Sequence, residues 1–199
     1  MKKAFLIRGF RFGYTAADED YSHIRGLIHD AGYDPVPVPW MWNYKTMSQY
    51  SDEFVRFFLE NKGSYNVIIG HSFGAAAAFV SASRCRPDQL ILCSLSAYFQ
   101  EDLPKYNKRD WIYTHMGKRR HQDFETLSAK KIAEEIVAKR IHTRLMCGWL
   151  EEQVFPHLYE RVIETSEGLN IKPILIPDAD HTIHSPQYMN AIKKALLED

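Results

Sequence analysis

Ser72 stands in the run Gly70-His71-Ser72-Phe73-Gly74, a Gly-x-Ser-x-Gly spacing. So short a pattern gains weight only from its surroundings. Val67-Ile68-Ile69 before it reads as a strand, and Phe73-Gly74-Ala75-Ala76-Ala77-Ala78 after it reads as a helix of small residues able to sit close against a sheet. A serine on such a strand-to-helix turn is held in a strained backbone conformation. Its hydroxyl projects over the sheet, at the positive end of the helix. Glycines are required on both sides, because side chains there would collide with the neighbouring strand and helix. The plainer role for Ser72 is a helix N-cap; the strand–turn–helix setting favours the nucleophile.

A serine hydroxyl needs an adjacent base at neutral pH. Of nine histidines, His181 in Pro177-Asp178-Ala179-Asp180-His181 lies just past the last strand-like segment. In a parallel sheet that places it on the same edge as Ser72. His184 competes from three residues on, and His71 is turned elsewhere by the bend that presents Ser72. The base in turn needs a carboxylate to hold its tautomer. Trp149-Leu150-Glu151-Glu152 follows the strand-like segment Thr143–Gly148, so Glu151 is the expected acid and Glu152 the alternative. Either could instead be a first-turn helix acid favoured by the dipole. Asp180 is expected to point away from the imidazole, and Glu101 and Asp102 are a further alternative. Two backbone N–H groups must converge on the oxyanion that forms when Ser72 attacks a carbonyl. Phe73 supplies one, and Phe10, in the loop Arg8-Gly9-Phe10-Arg11-Phe12-Gly13, is expected to supply the other.

The elements that would position these groups alternate along the chain. Strands are expected at Ala4–Ile7, Val36–Pro39, Val67–Gly70, Leu90–Leu95, Thr143–Gly148 and Pro173–Pro177. Four of them are short, nearly continuous apolar runs, as strands covered on both faces should be. One helix places Ile24, Leu27 and Ile28 on one face and stops at Gly32. A second opens with a capping box from Thr46 to Gln49 and is expected to end on a left-handed turn at Gly63. Another runs from about Pro156 to Glu167 and stops at Gly168; the last has Ser185 as N-cap and Pro186 at its first position. The alternation predicts an open parallel sheet with helices on both faces. Pro37 and Pro39 cannot donate to a ladder, which makes theirs an edge strand. Gln100 to about Ser128 breaks the rhythm. It is polar and aromatic, with Tyr106, Lys108, Arg109, Trp111, Tyr113 and His115, and without clear periodicity. Within a compact domain such an excursion reads as a lid or as a solvated surface insertion.

The chain has 199 residues, which suits one domain over 1–199 with a cap or lid insertion at about 100–128. Lys plus Arg number 25 and Asp plus Glu 25, giving zero formal net charge. That argues against nucleic-acid binding, for which only Arg109, Lys118, Arg119 and Arg120 form a short basic run. The apolar run after Lys2 and Lys3 ends at Arg8, too early for a signal peptide. No apolar stretch approaches the ~20 residues of a membrane span. Cys85, Cys93 and Cys147 lack metal-ligand spacing, and Cys93 and Cys147 sit in apolar runs. Buried thiols and a reducing cytoplasm are the expectation.

Through Gly70–Gly74, the order Ser72, Glu151, His181, and the segments Gly148-Trp149-Leu150-Glu151 and Asp180-His181, the chain resembles the α/β-hydrolase superfamily over nearly its whole length. The resemblance implies a three-layer α/β/α sandwich with a six-stranded sheet of order 2-1-3-4-5-6, and a cap where the 100–128 insertion falls. It implies a serine esterase or thioesterase working through a Ser-His-Glu catalytic triad, with no metal or organic cofactor and a small or medium acyl substrate. An acyltransferase with the same triad, or a non-catalytic binding or sensor module on the same fold, are the alternatives. The chain departs from the superfamily in three respects: Arg8-Gly9 stands where His-Gly is common, the acid is glutamate rather than aspartate, and the leading antiparallel strands are absent.

Overall fold

The computed structural model describes residues 1–11, 13–106 and 111–198; for residue 20 and residues 111–116 the backbone alone is described. Phe12, Lys108 and Arg109 therefore lie outside the described residues, as do the side chains of Trp111, Tyr113 and His115.

Six strands form one sheet: β1 (Lys2–Ile7), β2 (Asp34–Pro37), β3 (Tyr65–His71), β4 (Gln89–Cys93), β5 (His142–Gly148) and β6 (Ile174–Ile176). Their order is β2-β1-β3-β4-β5-β6, with every pair parallel. Between them run α1 (Ser22–Asp30), α2 (Met47–Asn61), α3 (Phe73–Cys85), α4 (Trp111–Phe124), α5 (Ala129–Ala138), α6 (Glu151–Val154), α7 (Pro156–Leu169) and α8 (Pro186–Leu197). The period-2 alternation of the strands divides the interior into two cores. Phe5, Ile7, Ile68, Leu90, Leu92, Leu145 and Cys147 face the side covered by α2, α3, α5 and α7. Ala4, Leu6, Val67, Ile69, Ile91, Cys93 and Met146 face the side covered by α1 and α8. Among the described residues, no helix is long and apolar enough to cross a membrane.

The β2 strand is an edge, paired only with β1, and runs two residues earlier than its apolar pattern suggested. Its prolines are Pro35 and Pro37. The capping box at Thr46 and Gln49 is formed in both directions, and Ser185 caps α8.

Two helix stops differ from the expectation. Gly63 is not left-handed; a side chain there would meet the Met1 carbonyl where the start of β1 passes. Gly168 lies inside α7, where it packs against Ala133 of α5, and Asn170 takes the left-handed turn instead. The stretch after β4 also differs, since it holds a 3₁₀ turn (Leu103–Lys105) and α4, which is kinked at Gly117. An apolar face too weak to show helical periodicity explains why the pattern hid it.

Candidate active site

In a parallel sheet all carboxyl ends lie on one edge, and the loops there converge where the strand order reverses. The chain runs outward from β1 to β2, then returns to β3 on the other side of β1. Ser72 follows β3 at that point. It has φ 55° and ψ −119°, a conformation few L-residues adopt and one that marks built-in strain. The flanking glycines are a packing requirement. A Cβ at Gly70 would overlap Gly74 and Ala75 at the start of α3, and one at Gly74 would overlap the Ile7 and Arg8 carbonyl oxygens. The Ser72 N–H is held by the Cys93 carbonyl at 2.9 Å, and the Ser72 carbonyl accepts from Ala75 and Ala76. The backbone around the hydroxyl is thus fixed on both sides.

His181, beyond β6, reaches this hydroxyl: Nε2 lies 2.9 Å from Ser72 Oγ. Its other ring nitrogen, Nδ1, is 2.9 Å from Glu151 Oε2. A carboxylate can only accept, so Nδ1 carries the hydrogen, and the bare Nε2 accepts from the Ser72 hydroxyl. Glu151 sits just after β5 with its side chain fully buried. Its second oxygen, Oε1, accepts from the Tyr188 hydroxyl at 2.6 Å, the Ser94 hydroxyl at 2.8 Å and the Gly148 N–H at 2.9 Å. Tyr188 comes from α8, and burial together with the neighbouring carboxylate pushes its phenol pKa far up, so it remains a donor. Ser94 itself takes a positive φ of 52°.

A second set of contacts ties the first loop to the histidine loop. His71 is buried, and desolvation, with the nearby His181 next in effect, holds its pKa well below the usual value. Its Nε2–H donates to the His181 carbonyl at 3.1 Å, and its Nδ1 accepts from the Tyr21 hydroxyl at 2.9 Å. The Tyr21 oxygen accepts in turn from the Gly9 N–H at 3.0 Å. The Gly9 carbonyl accepts from the Trp42 indole N–H at 2.9 Å. Because a trans peptide is planar, fixing that carbonyl also fixes the direction of the Phe10 N–H in the same peptide unit. The Phe10 ring lies edge-on to Phe73 at 5.8 Å. Phe73 is the first residue of α3, so its N–H has no intrahelical acceptor.

Two clefts meet at Ser72 and His181. One, of about 250 Å³, lies against Tyr98, Tyr106, Val154, Phe155 and Leu158. The other, of about 220 Å³, lies against Arg8, Phe10, Arg11, Thr182 and His184. Ser96 stands beside Ser72, its Oγ 3.4 Å from that of Ser72.

The structure brings Ser72, His181 and Glu151 together and leaves the competitors apart. Glu152 and His184 are exposed. Asp180 accepts from the Thr182 N–H, Glu101 caps the start of α5, and Asp102 is paired with Arg161. Lys118 and Arg119 are exposed, whereas Arg120 turns inward and its Nε–H donates to the Lys45 carbonyl at 2.9 Å. Ser94, Tyr188, Tyr21 and Trp42 escaped the reading of the sequence. A usable signal existed for two of them. Ser94 ends a strand beside the Ser72 strand, and Tyr188 puts a hydroxyl on the buried face of α8, where it must find a partner.

A site at the carboxyl edge of a doubly covered parallel sheet, with a strained serine at the switch point, is the arrangement of the α/β-hydrolase fold. Solved structures agree. Est1E from Butyrivibrio proteoclasticus superposes with a TM-score of 0.75 at 14% identity, over 99% of this chain and 86% of that one. A structure from a study of carboxylesterases of the thaumarchaeon Nitrososphaera gargenis gives 0.69 at 15%, over 98% and 89%. Mouse α/β-hydrolase domain-containing protein 10 gives 0.62 at 12%, over 98% and 87%. No protein-family model and no curated protein matches the chain. At these identities the likeness establishes the fold: the chain has the α/β-hydrolase fold.

Proposed function

We propose that the protein is a serine hydrolase that cleaves a small or medium acyl ester or thioester through Ser72, His181 and Glu151. The observation that carries this reading is the unbroken chain of two 2.9 Å contacts, Ser72 Oγ to His181 Nε2 and His181 Nδ1 to Glu151. A binding module has no need of it. Proteins of the same fold whose structures come from work on carboxylesterases and on a meta-cleavage product hydrolase support the same reading.

In the first half-reaction Ser72 Oγ adds to the substrate carbonyl carbon while its proton passes to His181 Nε2. The Phe73 and Phe10 N–H groups receive the oxyanion, and Glu151 stabilises the imidazolium without taking its proton. The bond to the leaving oxygen or sulfur then breaks, and His181 returns the proton to that atom. In the second half-reaction a water gives a proton to His181 and adds to the acyl-enzyme. The Ser72 ester bond breaks, and the proton goes back to Ser72 Oγ.

The test is labelling of the purified protein with a fluorophosphonate, which reacts only with an activated serine, alongside turnover of butyryl esters with and without added alcohol or thiol acceptors. Wild type should label and hydrolyse, and Ser72→Ala and His181→Ala should do neither. Well-folded wild type that neither labels nor turns over any ester would sink the proposal. Product formed only when an acceptor is present would recast it as an acyltransferase.

A further inference from the structure

The Ser96 hydroxyl stands outside the line of contacts that joins Ser72, His181 and Glu151, yet it touches the first of them. Ser96 lies three residues beyond the end of β4, in a segment pinned along its length. Leu95, Ala97 and Phe99 are buried. The Ala97 carbonyl accepts from the Tyr106 hydroxyl at 2.8 Å, and the Phe99 N–H donates to Asp102 at 3.0 Å. Ser96 itself is only 5% exposed and lines the cleft of about 250 Å³ together with Ser72 and His181. Its Oγ is 3.4 Å from Ser72 Oγ, and among the described residues that oxygen is its one hydrogen-bonding partner.

Counting hydrogens gives this contact its direction. A hydroxyl carries one hydrogen. That of Ser72 goes to His181 Nε2, because Nδ1 keeps its own for Glu151. The hydrogen between the two serine oxygens is therefore that of Ser96, and Ser96 donates to Ser72. At 3.4 Å the contact is longer than the roughly 2.5–3.0 Å of a neutral O–H···O bond, so it contributes little while Ser72 is neutral. A hydroxyl facing an ionised oxygen closes to about 2.5–2.7 Å. The contact thus strengthens as charge builds on Ser72 Oγ. Only an interaction that is stronger in the transition state than in the ground state speeds a reaction. Among the described residues no base lies within hydrogen-bonding distance of Ser96 Oγ, which makes it a donor rather than a second nucleophile.

We infer that Ser96 is a further catalytic residue, whose hydroxyl donates to Ser72 Oγ while that oxygen carries charge. This rests on the serine-hydrolase reading and adds a fourth side chain to it. Charge gathers on Ser72 Oγ twice. In acylation its proton moves to His181 Nε2 as the bond from Oγ to the carbonyl carbon forms. In deacylation that bond breaks, and its electron pair returns to Oγ as the proton arrives from His181. Ser96 keeps its own proton throughout and forms no bond to carbon. One contact serves both steps, because Ser72 Oγ is the attacking atom in the first and the departing atom in the second. A hydroxyl that held the attacking water would serve the second step alone, and one that held the leaving group the first alone.

The experiment measures the two steps separately. p-Nitrophenyl dimethylcarbamate passes its carbamoyl group to an activated serine in one slow step, and water removes it in another. Ser96→Ala should slow both steps by a similar factor, about tenfold, as expected for one hydrogen bond to a charged oxygen. With p-nitrophenyl butyrate, kcat should fall by the same factor while KM stays within about twofold, because equal losses in acylation and deacylation cancel in KM. Ser96→Thr and Ser96→Val share a shape and differ in the hydroxyl. Ser96→Thr should be faster than Ser96→Val in both steps, by about fivefold or more. All rates refer to the folded fraction, fixed by urea unfolding. With wild type labelled by fluorophosphonate, three results would overturn this inference alone: Ser96→Ala matching wild type in both steps, a loss confined to one step, or Ser96→Thr no faster than Ser96→Val. Wild type that neither labels nor turns over any ester would instead overturn the hydrolase reading beneath it.

Discussion

The protein buries two carboxylates at the carboxyl edge of its sheet and treats them in opposite ways. Asp102, with no exposed side-chain surface, is clasped by the Arg161 guanidinium, whose Nε–H lies 3.0 Å from both carboxylate oxygens and whose Nη2 lies 2.5 Å from Oδ1. The Phe99 N–H adds a further donor at 3.0 Å. Glu151, equally buried, has no Lys or Arg partner among the described residues. Its Oε1 is satisfied by three neutral donors, from Tyr188, Ser94 and Gly148, and its Oε2 faces His181. A carboxylate paired with a permanent cation is a structural clamp: its charge is already spent. One held by neutral dipoles leaves its charge to be balanced by a cation that comes and goes, which on the proposed mechanism is the role of the His181 imidazole.

This contrast predicts a double dissociation. In Glu151→Gln the amide N–H₂ would face His181 Nδ1 and force the hydrogen onto Nε2, the wrong tautomer to accept from Ser72. On the proposed mechanism kcat should fall by about 10⁴-fold, as expected when a triad carboxylate becomes an amide. The unfolding midpoint should move little by comparison. Asp102→Asn should do the reverse. It leaves the buried Arg161, among the described residues, with Glu164 as its one carboxylate, at 2.9 Å and half exposed, and should cost about 3–5 kcal/mol of stability while kcat of the folded fraction stays within a few-fold. Urea unfolding and steady-state kinetics on both variants decide the matter. A large kcat loss in Asp102→Asn with Glu151→Gln fully active would erase the distinction. Replacing the clasp whole, as Asp102→Leu/Arg161→Met, should recover most of the lost stability, because a buried ion pair and an apolar pair of similar volume are often close in free energy.

Tyr188→Phe probes the cradle of Glu151 on a smaller scale. It removes one of three donors to Oε1 and leaves the Gly148 N–H with a single acceptor. About 1–3 kcal/mol of stability should go with it, and kcat should fall well short of the Glu151→Gln loss. A kcat indistinguishable from wild type would show that the phenol only packs.

The same contrast marks where the sequence was legible. The strained turn that carries Ser72 could be read because its requirements are local. Gly70 and Gly74 are dictated by the approach of α3 to β3 and β1, and a strand and a small-residue helix flank them. The sheet order could be read because apolar runs alternating with helices admit few topologies, and prolines bar a strand from the interior. Glu151 and Glu152 could not be told apart by neighbours alone. Their difference lies in Ser94 and Tyr188, 57 and 37 residues away, each a lone hydroxyl in an otherwise apolar stretch whose pattern speaks only of burial. Asp102 and Arg161 share that opacity, since a clasp 59 residues apart has no local signature. Gly63 and Gly168 misled for a related reason: glycine marks a close approach as often as a turn, and only the neighbouring element says which.

The smallest expected effect concerns His71, the buried imidazole that joins the Gly9 loop to the His181 carbonyl through Tyr21. Arg8, His181 and His184 all disfavour its protonation, and desolvation does so most. A histidine whose pKa is lowered in the native state is more readily protonated in the unfolded chain. Its neutral contacts therefore stabilise the fold fully above the unfolded pKa of about 6.5 and lose that contribution as pH falls below it, by at most about 1.4 kcal/mol per pH unit. Other groups titrate over the same range, so the useful quantity is the difference between wild type and His71→Gln, whose side chain does not ionise. Urea unfolding of both at pH 8 and pH 5 should show wild type losing more stability than the variant. Equal losses would mean that His71 takes up its proton without breaking the link between the two loops, and its role would then reduce to filling space beside Glu151's imidazole partner.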